Sequence, residues 1–314
     1  MLIVFFDAAS PPVHKHVIED IEHRFHFLST AVYQTSKYGG GVYNTNHLIY
    51  EVNNRRLGFF INFSPSLGNG INKKMQERNF SSLPSADDLE GSVRNINGNE
   101  RDYLLEAFVK LARENVELIV GLVDTTVFFD TNRFANDEVN QFLNTDLVNN
   151  PLSLLPSYNI GMILNFNYSI FKVSSAIVDG KPDAETVYLL EVGILEENYN
   201  LSLHYFHAPF NELKGLGVSG DYSFNNLGFF FRWGINSSDE YAYFISGGIT
   251  YNVSKHTFGM GFAHRKGNEF ADVNVGEAYY RYRLLTNLHL TLDYQYIDEV
   301  ENTYVVGIRV HFEY

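Results

Sequence analysis

The sequence lacks cysteine, contains one tryptophan, and has no apolar run long enough to cross a membrane as a helix. Without thiols, disulfides and thiolate metal sites are excluded. A spanning helix requires roughly 18 consecutive apolar residues, and the longest runs, residues 1–6 and 118–123, are far shorter. Membrane-spanning β-strands escape this test because their alternating residues average out in a hydropathy window. The mean hydropathy of -0.16 is therefore compatible with a membrane barrel.

Basic residues are also scarce, with 23 Lys and Arg against 37 Asp and Glu and a net charge of -14. This balance argues against nucleic acid as a partner, since phosphate binding requires a basic face. Aromatic residues are abundant instead, with 21 Tyr and 26 Phe. Girdles of aromatic side chains at the two membrane interfaces would use them. An aromatic-rich soluble β-core is the alternative.

The last 38 residues alternate between apolar and polar side chains. Between residues 287 and 297, Leu290 and Leu292 share one face while Asp293 lies on the other, and residues 277–284 and 304–314 repeat the pattern. A period of two over about ten residues indicates a strand with one apolar and one polar face. The polar face carries full charges, and the apolar face ends in aromatics. This combination is typical of a barrel with lipid outside and a wet lumen inside.

Similar segments recur along most of the chain. They predict an all-β, antiparallel, up-and-down transmembrane barrel of about sixteen strands, an even number as in bacterial barrels. The predicted barrel domain is 24–314, preceded by an N-terminal segment, 1–23, that combines a possible signal remnant with a short helix or arm over 11–23. The predicted strands are 24–36, 46–53, 56–65, 101–111, 116–124, 158–167, 169–178, 185–195, 199–208, 213–223, 227–236, 240–252, 256–266, 277–284, 287–297 and 303–314.

The predicted connections alternate between longer loops and short turns. This places long loops on one rim and short turns, with both chain ends, on the other, as in outer-membrane barrels. Residues 37–45, 66–100 and 125–157 are predicted as long loops. The 125–157 loop has apolar residues at irregular spacing, so it is expected to fold into the lumen. The alternative is a loop on the outer rim or against a neighbouring subunit.

Two blocks resemble the carbohydrate-selective porin family of the OprB type. The first contains Gly121-Leu122-Val123-Asp124, residues 129–138 (FDTNRFANDE), Gln141-Phe142-Leu143, Pro151, Pro156 and Gly161. The second contains residues 277–282 (EAYYRY) and 290–297 (LTLDYQYI), where Leu292 stands in place of the proline usual in the family. The resemblance covers the chain from about residue 20 onward. It implies a sixteen-stranded outer-membrane channel that passes sugars and other small solutes by diffusion.

Strand alternation assigns charged and amide side chains to the lumen. Arginine and carboxylate groups hydrogen-bond hydroxyls, so they suit weak binding of polyols. The alternative is that these charges pair across strands and stabilise a wet lumen. The candidate pore-lining residues on strands are Glu106, Lys110, Glu191, Arg232, Arg265, Glu277, Arg281, Arg283, Asp293, Gln295 and Arg309. Asp130, Arg133 and Asp137 on the long loop are the candidates for a constriction, with loop-internal salt bridges and turn capping as the alternative.

Nothing in the sequence predicts catalysis, a cofactor or a metal. Residues 215–220 (GLGVSG) match the dinucleotide pattern G-x-G-x-x-G, but no helix follows, so the motif fails its context test. The expected partners are outer-membrane lipid and small sugars or other hydrophilic solutes, with the barrel a monomer or a homotrimer. A general or ion-conducting porin, an outer-membrane barrel enzyme, and a structural barrel with a blocked lumen are the alternative functions.

Overall fold

A computed structural model describes residues 14–18, 21–99 and 101–314. In these ranges seventeen strands form one antiparallel sheet. The strands are β1 (His14–Ile18), β2 (Ile21–Ser36), β3 (Gly39–Asn53), β4 (Leu57–Phe63), β5 (Leu104–Arg113), β6 (Val116–Val123), β7 (Asn159–Tyr168), β8 (Phe171–Asp179), β9 (Thr186–Leu195), β10 (Tyr199–Ala208), β11 (Leu213–Phe224), β12 (Leu227–Asn236), β13 (Tyr241–Val253), β14 (His256–Gly267), β15 (Val273–Leu285), β16 (Leu288–Asp298) and β17 (Asn302–Glu313). The helices are α1 (Asn72–Gln76), α2 (Glu90–Val93) and α3 (Thr145–Val148), with short 3₁₀ turns at Ile96–Gly98, Thr125–Val127 and Pro209–Asn211.

The sheet closes on itself. Each strand from β2 to β17 pairs with the next, and β17 pairs with β2 through contacts such as Val310 with Ala31. The backbone groups of Phe27 and Tyr314 exchange two hydrogen bonds of 2.8 Å at the end of this seam. The predicted sixteen-stranded antiparallel barrel is therefore confirmed.

The N-terminal segment differs from its prediction. Residues 14–18 form strand β1, which pairs with β2 from Ile18 opposite Ile21 to His14 opposite Phe25. Of the two alternatives predicted for 11–23, a short helix or an arm, the helix is therefore wrong at these positions. β2 is longer than β17 at this end, so its free edge is available to β1. The predicted signal remnant in residues 1–10 lies outside the described residues.

The two rims of the barrel differ as predicted. Seven connections of two or three residues form the short-turn rim, where β2 begins and β17 ends: 54–56, 114–115, 169–170, 196–198, 225–226, 254–255 and 286–287. The opposite, long-loop rim carries two large connections, 64–103 and 124–158, with six short ones. We call residues 124–158 the inner loop and the described residues of 64–103 the cap loop.

The predicted loop over 37–45 is wrong. Only Lys37 and Tyr38 form the turn, and β3 begins at Gly39. The glycines at the start of β3 serve close packing within the strand. A Cβ on Gly41 would lie 2.1 Å from the carbonyl oxygen of Gly70 in the cap loop, so a side chain there would push the two segments apart.

The two faces of the strands are sharply different. Large apolar side chains point outward and are exposed, for example Leu203 (45%), Val306 (52%) and Leu292 (51%). Polar and charged side chains point inward and are buried, as for Arg309 and Gln295.

Among the described residues, no helix has the length and apolarity to cross a membrane.

Candidate functional site: the barrel interior

The inner loop lies inside the barrel. It makes hydrogen bonds to inward-facing side chains of β9, β12, β15 and β17, which are distributed around much of the wall. α3 and one 3₁₀ turn are its only helical parts. Most of its backbone N–H and C=O groups therefore have no partner within a helix or strand, so they need hydrogen-bond partners elsewhere. The charged residues predicted to line the pore provide many of them.

Arg232 on β12 is the most engaged of these residues, and it is fully buried. Its guanidinium donates to the carbonyl oxygens of Ala135 (2.8 Å) and Leu147 (2.9 Å), and its Nε lies 3.1 Å from Oδ2 of Asp130. The same Asp130 oxygen accepts the backbone N–H of Asn150 at 2.9 Å. Arg232 and Asp130 therefore join distant parts of the inner loop to the wall.

Two further arginines bind backbone carbonyls of the loop. Arg309 on β17 donates to Glu138 and, at 2.8 Å, to Gln141. Arg281 on β15 donates to the carbonyl of Asn140 at 3.1 Å. Among the described residues, neither has a carboxylate within ion-pair distance. Their positive charge is directed at the loop backbone.

Acidic side chains on the barrel wall accept hydrogen bonds from backbone N–H groups of the inner loop. Glu277 on β15 accepts the backbone N–H groups of Leu143 (2.7 Å) and Asn144 (2.9 Å). Glu191 on β9 accepts the N–H of Asp130 at 2.8 Å and pairs with Lys172 at 3.1 Å. The hydrogen bond to Glu191, whose carboxylate is paired with Lys172, is charge-assisted and therefore stronger than a neutral one.

Two ion pairs link loop and wall side chains directly. Arg265 on β14 pairs with Asp146 of α3 at 2.8 Å. Arg133 of the loop pairs with Asp221 on β11 at 2.5 Å. The predicted third loop residue, Asp137, instead caps a turn by accepting the N–H groups of Val139 and Asn140.

The remaining predicted residues lie at different heights of the interior. Gln295 donates to the carbonyl of Pro84 in the cap loop and to Asp293, each at 2.9 Å. Glu106 accepts from Asn62 at 3.2 Å, and Lys110 lies 3.7 Å from Glu117. Arg283 donates to the carbonyl of Ser254 at 3.4 Å, at the short-turn rim. These residues form no single cluster.

Apolar packing adds to the polar contacts of the inner loop. Phe142 of the loop is fully buried, with its ring centroid 5.1 Å from Tyr279 and 5.3 Å from Phe230 of the wall. Leu147 and Val148 of α3 join the same cluster. Burying these aromatic rings against each other stabilises the position of the loop in addition to its polar contacts. The middle of the lumen is thus partly a hydrophobic core.

The cap loop binds the inner loop through backbone and side-chain hydrogen bonds, including Ala86 N–H to the carbonyl of Leu143 at 2.7 Å. Near this contact, Tyr158 donates its hydroxyl to Asp88 at 2.7 Å. Burial raises the pKa of Asp88 to about 8 and that of neighbouring Asp87 to about 6. Burial and the nearby Asp87 also raise the pKa of Glu138 well above its usual range. The junction of the two loops therefore retains protons near neutral pH.

A Ser–His–Asp arrangement occurs where the inner loop meets β10. Ser153 Oγ lies 2.7 Å from Nε2 of His204, whose Nδ1 is 4.0 Å from Oδ1 of Asp130. The second distance exceeds a hydrogen bond. Asp130 also pairs with Arg232, and His204 is buried. This geometry fastens the loop and does not have the hydrogen-bonded relay of an activated nucleophile.

A cavity of about 300 Å³ opens between the cap loop, the inner loop and the β8–β9 connection. Its lining includes Tyr158, Asn97 and Leu155, with Lys181 and Asp183 as its charged residues. None of the predicted pore-lining residues contributes to it. Within the described residues, no group of three or more His, Asp or Glu side chains could hold a metal ion.

Asparagines of the inner loop, which were not among the predicted residues, also fix the loop in place. Asn144 accepts from the N–H of Asp146 and donates to Gln295, while Asn150 accepts from Leu152 and donates to the carbonyl of Trp233. The high asparagine content of residues 132–150 was the available sequence feature, because asparagine side chains satisfy irregular backbone.

No protein-family model matches the chain. A protein of Aquifex aeolicus (strain VF5), described as an uncharacterized protein, is 52% identical over 306 residues, which cover 97% of this chain and 99% of that protein. Among solved structures, a triple mutant of Rhodopseudomonas blastica porin has a TM-score of 0.62 at 12% identity, covering 94% of this chain and 100% of the porin. A structure described as "Asymmetric conductivity of engineered proteins" gives the same TM-score, identity and coverage.

These structural matches establish the fold, and they do not extend the resemblance to carbohydrate-selective porins. The chain belongs to the same family as the Aquifex aeolicus protein, and its sixteen-stranded barrel has the fold of the Rhodopseudomonas blastica porins.

Proposed function

We propose that this protein is an outer-membrane porin, through which small hydrophilic solutes diffuse passively. The observation that carries the proposal is the closed sheet with exposed apolar side chains outside and charged side chains inside. An apolar outer surface around a closed barrel suits lipid, because closure leaves no unpaired sheet edge in the membrane. A soluble barrel would expose this surface to water at a large cost.

Two bands of exposed aromatic side chains support the membrane placement. The band near the short-turn rim contains Phe25, Tyr50, Phe166, Tyr168, Phe171, Tyr199, Tyr222, Phe224, Tyr251 and Phe258. The band toward the long-loop rim contains Tyr33, Phe63, Tyr188, Tyr205, Tyr243, Phe262, Tyr294 and Tyr304. Outward positions between the bands carry mainly aliphatic residues. Such paired girdles are placed at the two membrane interfaces of outer-membrane barrels.

The inner loop would control passage. It occupies the middle of the lumen, whereas polar side chains nearer the short-turn rim, including Lys110, Glu117 and Lys172, are partly exposed. Solutes would move through a wet vestibule and then past a loop fixed by Arg232, Glu277 and Arg309. A narrow, hydrogen-bonding constriction selects for small polar solutes.

Carbohydrates are the solute class that the sequence resemblance adds to this proposal, with Arg281 and Asp293 as candidate sugar contacts. A channel without sugar specificity is the second candidate. The hydrogen bonds of the barrel wall favour this second candidate. Arg232, Glu277 and Arg309 already make hydrogen bonds to the inner loop. Groups bound to the loop are less available for hydroxyls.

Conductance of the refolded protein in a planar lipid bilayer, with glucose and maltose titrated in, tests both candidates. Stepwise openings that close saturably with sugar are expected for a carbohydrate channel, and Arg281→Ala should weaken that block. Openings indifferent to sugar would support the second candidate. A complete lack of conductance from correctly folded, inserted protein would overturn the channel proposal and leave a barrel with a blocked lumen.

A further inference from the structure

The cavity between the cap loop, the inner loop and the β8–β9 connection has no part in the proposed constriction. Its volume of about 300 Å³ is at the lower end of the range of roughly 300–1,000 Å³ for small-molecule sites. It lies at the long-loop rim, because β8 ends at Asp179 and β9 begins at Thr186 on that side of the barrel. A small solute that approaches the barrel from this rim can therefore reach it.

Two residues that line the cavity have an unusual backbone conformation. The φ angles of Asn97 and Tyr158 are 52° and 61°, and a bulky residue such as tyrosine rarely adopts this left-handed conformation. Arg101 holds the segment in place by donating to the carbonyl of Tyr158 at 2.5 Å. Asn97 donates to the carbonyl of Ser157 and to Oδ1 of Asn159, each at 2.9 Å. Strained backbone that its surroundings fix in this way is concentrated at functional positions such as ligand sites.

The neutral polar side chains of the cavity already use their donors within the protein. The hydroxyl groups of Ser157 and Tyr158 donate to carboxyl groups at 2.9 and 2.7 Å. The hydroxyl group of Ser92 donates to a backbone carbonyl at 2.7 Å. The amide group of Asn97 donates both of its hydrogens, to the carbonyl of Ser157 and to the side chain of Asn159. A ligand that depends on many neutral hydrogen bonds, such as a sugar, would find few donors here.

The two charged residues of the lining are less engaged. The Nζ atom of Lys181 lies 3.9 Å from Oδ2 of Asp179, beyond hydrogen-bond distance, and its side chain is 60% exposed. Asp183 is exposed as well. Among the described residues, Lys181 and Asp183 do not pair with each other, and Asp183 has no other ion-pair partner. One positive and one negative group are therefore available to a ligand.

The rest of the lining is largely apolar. Leu154 and Leu155 of the inner loop are half-buried, and Pro182 lies between the two charged residues in the sequence. An apolar group in contact with these side chains would be removed from water, which favours binding. The cavity thus combines charges of both signs with a small apolar surface.

We propose that this cavity binds a small zwitterion, an amino acid with an apolar side chain. Its carboxylate would pair with Lys181, its ammonium group with Asp183, and its side chain would contact Leu154 and Leu155. The inference rests on the proposed channel function and deepens it by naming a solute class. Ion pairs between exposed groups are weak, and weak binding lets a solute leave again, as diffusion through a channel requires.

Saturation-transfer NMR of the full chain in a neutral detergent, with L-leucine as the probe, measures this binding. Saturable binding is expected at low ionic strength. Lys181→Gln and Asp183→Asn should each weaken it about fivefold, the effect of losing one exposed charge contact. The matched controls are Lys266→Gln and Asp272→Asn, which change an exposed ion pair of 2.8 Å on the β14–β15 side of the same rim. No leucine binding by the folded protein, or equal losses in the controls, would overturn the proposal.

Analogues of leucine test the role of each charge separately. Leucinamide lacks the carboxylate, so Lys181→Gln should not weaken its binding. Isocaproate lacks the ammonium group, so Asp183→Asn should not weaken its binding. Glucose should bind more weakly than leucine. Glucose binding that is tighter than leucine binding and sensitive to the same two changes would overturn the zwitterion as the ligand class.

Conductance in planar bilayers separates this proposal from the channel proposal. A protein that conducts but does not bind leucine overturns the zwitterion site and leaves the channel. A protein that binds leucine through Lys181 and Asp183 but never conducts supports the site and overturns the channel. If both proposals hold, leucine should reduce the wild-type current saturably, and Lys181→Gln should weaken this block.

Discussion

At the scale of single residues, Arg232 and Asp130 illustrate how charges are used in this barrel. Both are fully buried, and each binds loop backbone as well as the other. Removing one member of a buried pair leaves an uncompensated charge and costs about 3–5 kcal/mol. The pair therefore stabilises the placement of the inner loop only while both members are present.

We expect Arg232→Met to destabilise the folded protein by about 3–5 kcal/mol and to make channel openings larger and noisier. Asp130→Asn in the same chain should recover part of the loss, because the buried charge is then gone. Urea unfolding in detergent and single-channel recording measure the two effects. Arg283→Met is the control, since Arg283 lies at the short-turn rim with one long hydrogen bond. Equal losses in both variants would contradict the role of Arg232.

The junction of the cap loop and the inner loop predicts a pH dependence. The folded state keeps the proton of Asp88 up to about pH 8, whereas an unfolded chain releases it near pH 4. The free energy of unfolding should therefore fall as the pH rises from about 4 to about 8, and level off above that range.

Thermal melting of the detergent-folded protein between pH 4 and 9 measures this slope. Asp88→Asn should reduce the slope, because the amide does not titrate, while Asp87 and Glu138 keep contributing to it. The exposed Asp239→Asn should leave the slope unchanged. A slope that is the same in Asp88→Asn and in the wild-type protein would contradict the role of Asp88.

Ser153 and His204 give a prediction about the enzyme alternative. The 4.0 Å gap between His204 and Asp130 leaves the base, His204, without a hydrogen-bonded carboxylate to orient it beside Ser153. Ser153→Ala should lower stability by about 1 kcal/mol through loss of one hydrogen bond. Hydrolysis of a p-nitrophenyl ester should be absent before and after the change. Turnover that Ser153→Ala abolishes would revive a barrel hydrolase.

At the scale of structural elements, the strands could be predicted from sequence and the loops only in part. Alternation decides which side chains face out, because a strand in a barrel has one lipid-type and one lumen-type face. Arg309 and Glu277 were assigned to the interior on that basis. The partners of these residues lie far away in the chain, so no local pattern indicated that loop backbone would occupy them.

The errors have a common physical origin. Residues 37–45 were predicted as a loop, but Gly41 lies within β3 and permits the cap loop to approach closely. Residues 11–23 were predicted as a short helix or an arm, and the five residues of β1 are too few to establish a strand period. In both places a neighbouring segment, which local sequence does not reveal, decides the conformation.

A change at Glu277 tests whether the barrel wall fixes the position of the inner loop. Glu277→Ala removes the acceptor of two buried backbone N–H groups, those of Leu143 and Asn144. We expect a loss of about 2–4 kcal/mol in stability, since leaving a buried N–H group without an acceptor costs about 1–3 kcal/mol and the two losses are not additive. Hydrogen exchange should show loss of protection in residues 142–148. Unchanged protection there would contradict this anchoring.

At the scale of the whole molecule, the outer surface should respond to charge according to depth. Ile308 points outward in the middle of β17, between the aromatic bands. Ile308→Arg should destabilise the protein in lipid vesicles by about 2–4 kcal/mol, as expected for a charge near the bilayer midplane. Val300→Arg, in an exposed turn of the long-loop rim, should cost about 0–1 kcal/mol. Equal costs would contradict the membrane placement.

The seam between β2 and β17 has a consequence for biogenesis. Phe27 and Tyr314 hydrogen-bond although they stand near opposite ends of the sequence. The most distant contacts are thus the ones that seal the sheet, and folding dominated by distant pairings is slow. Until the last strand arrives, β2 and the growing end present open edges that invite aggregation. Covering these edges until β2 and β17 pair would therefore limit aggregation.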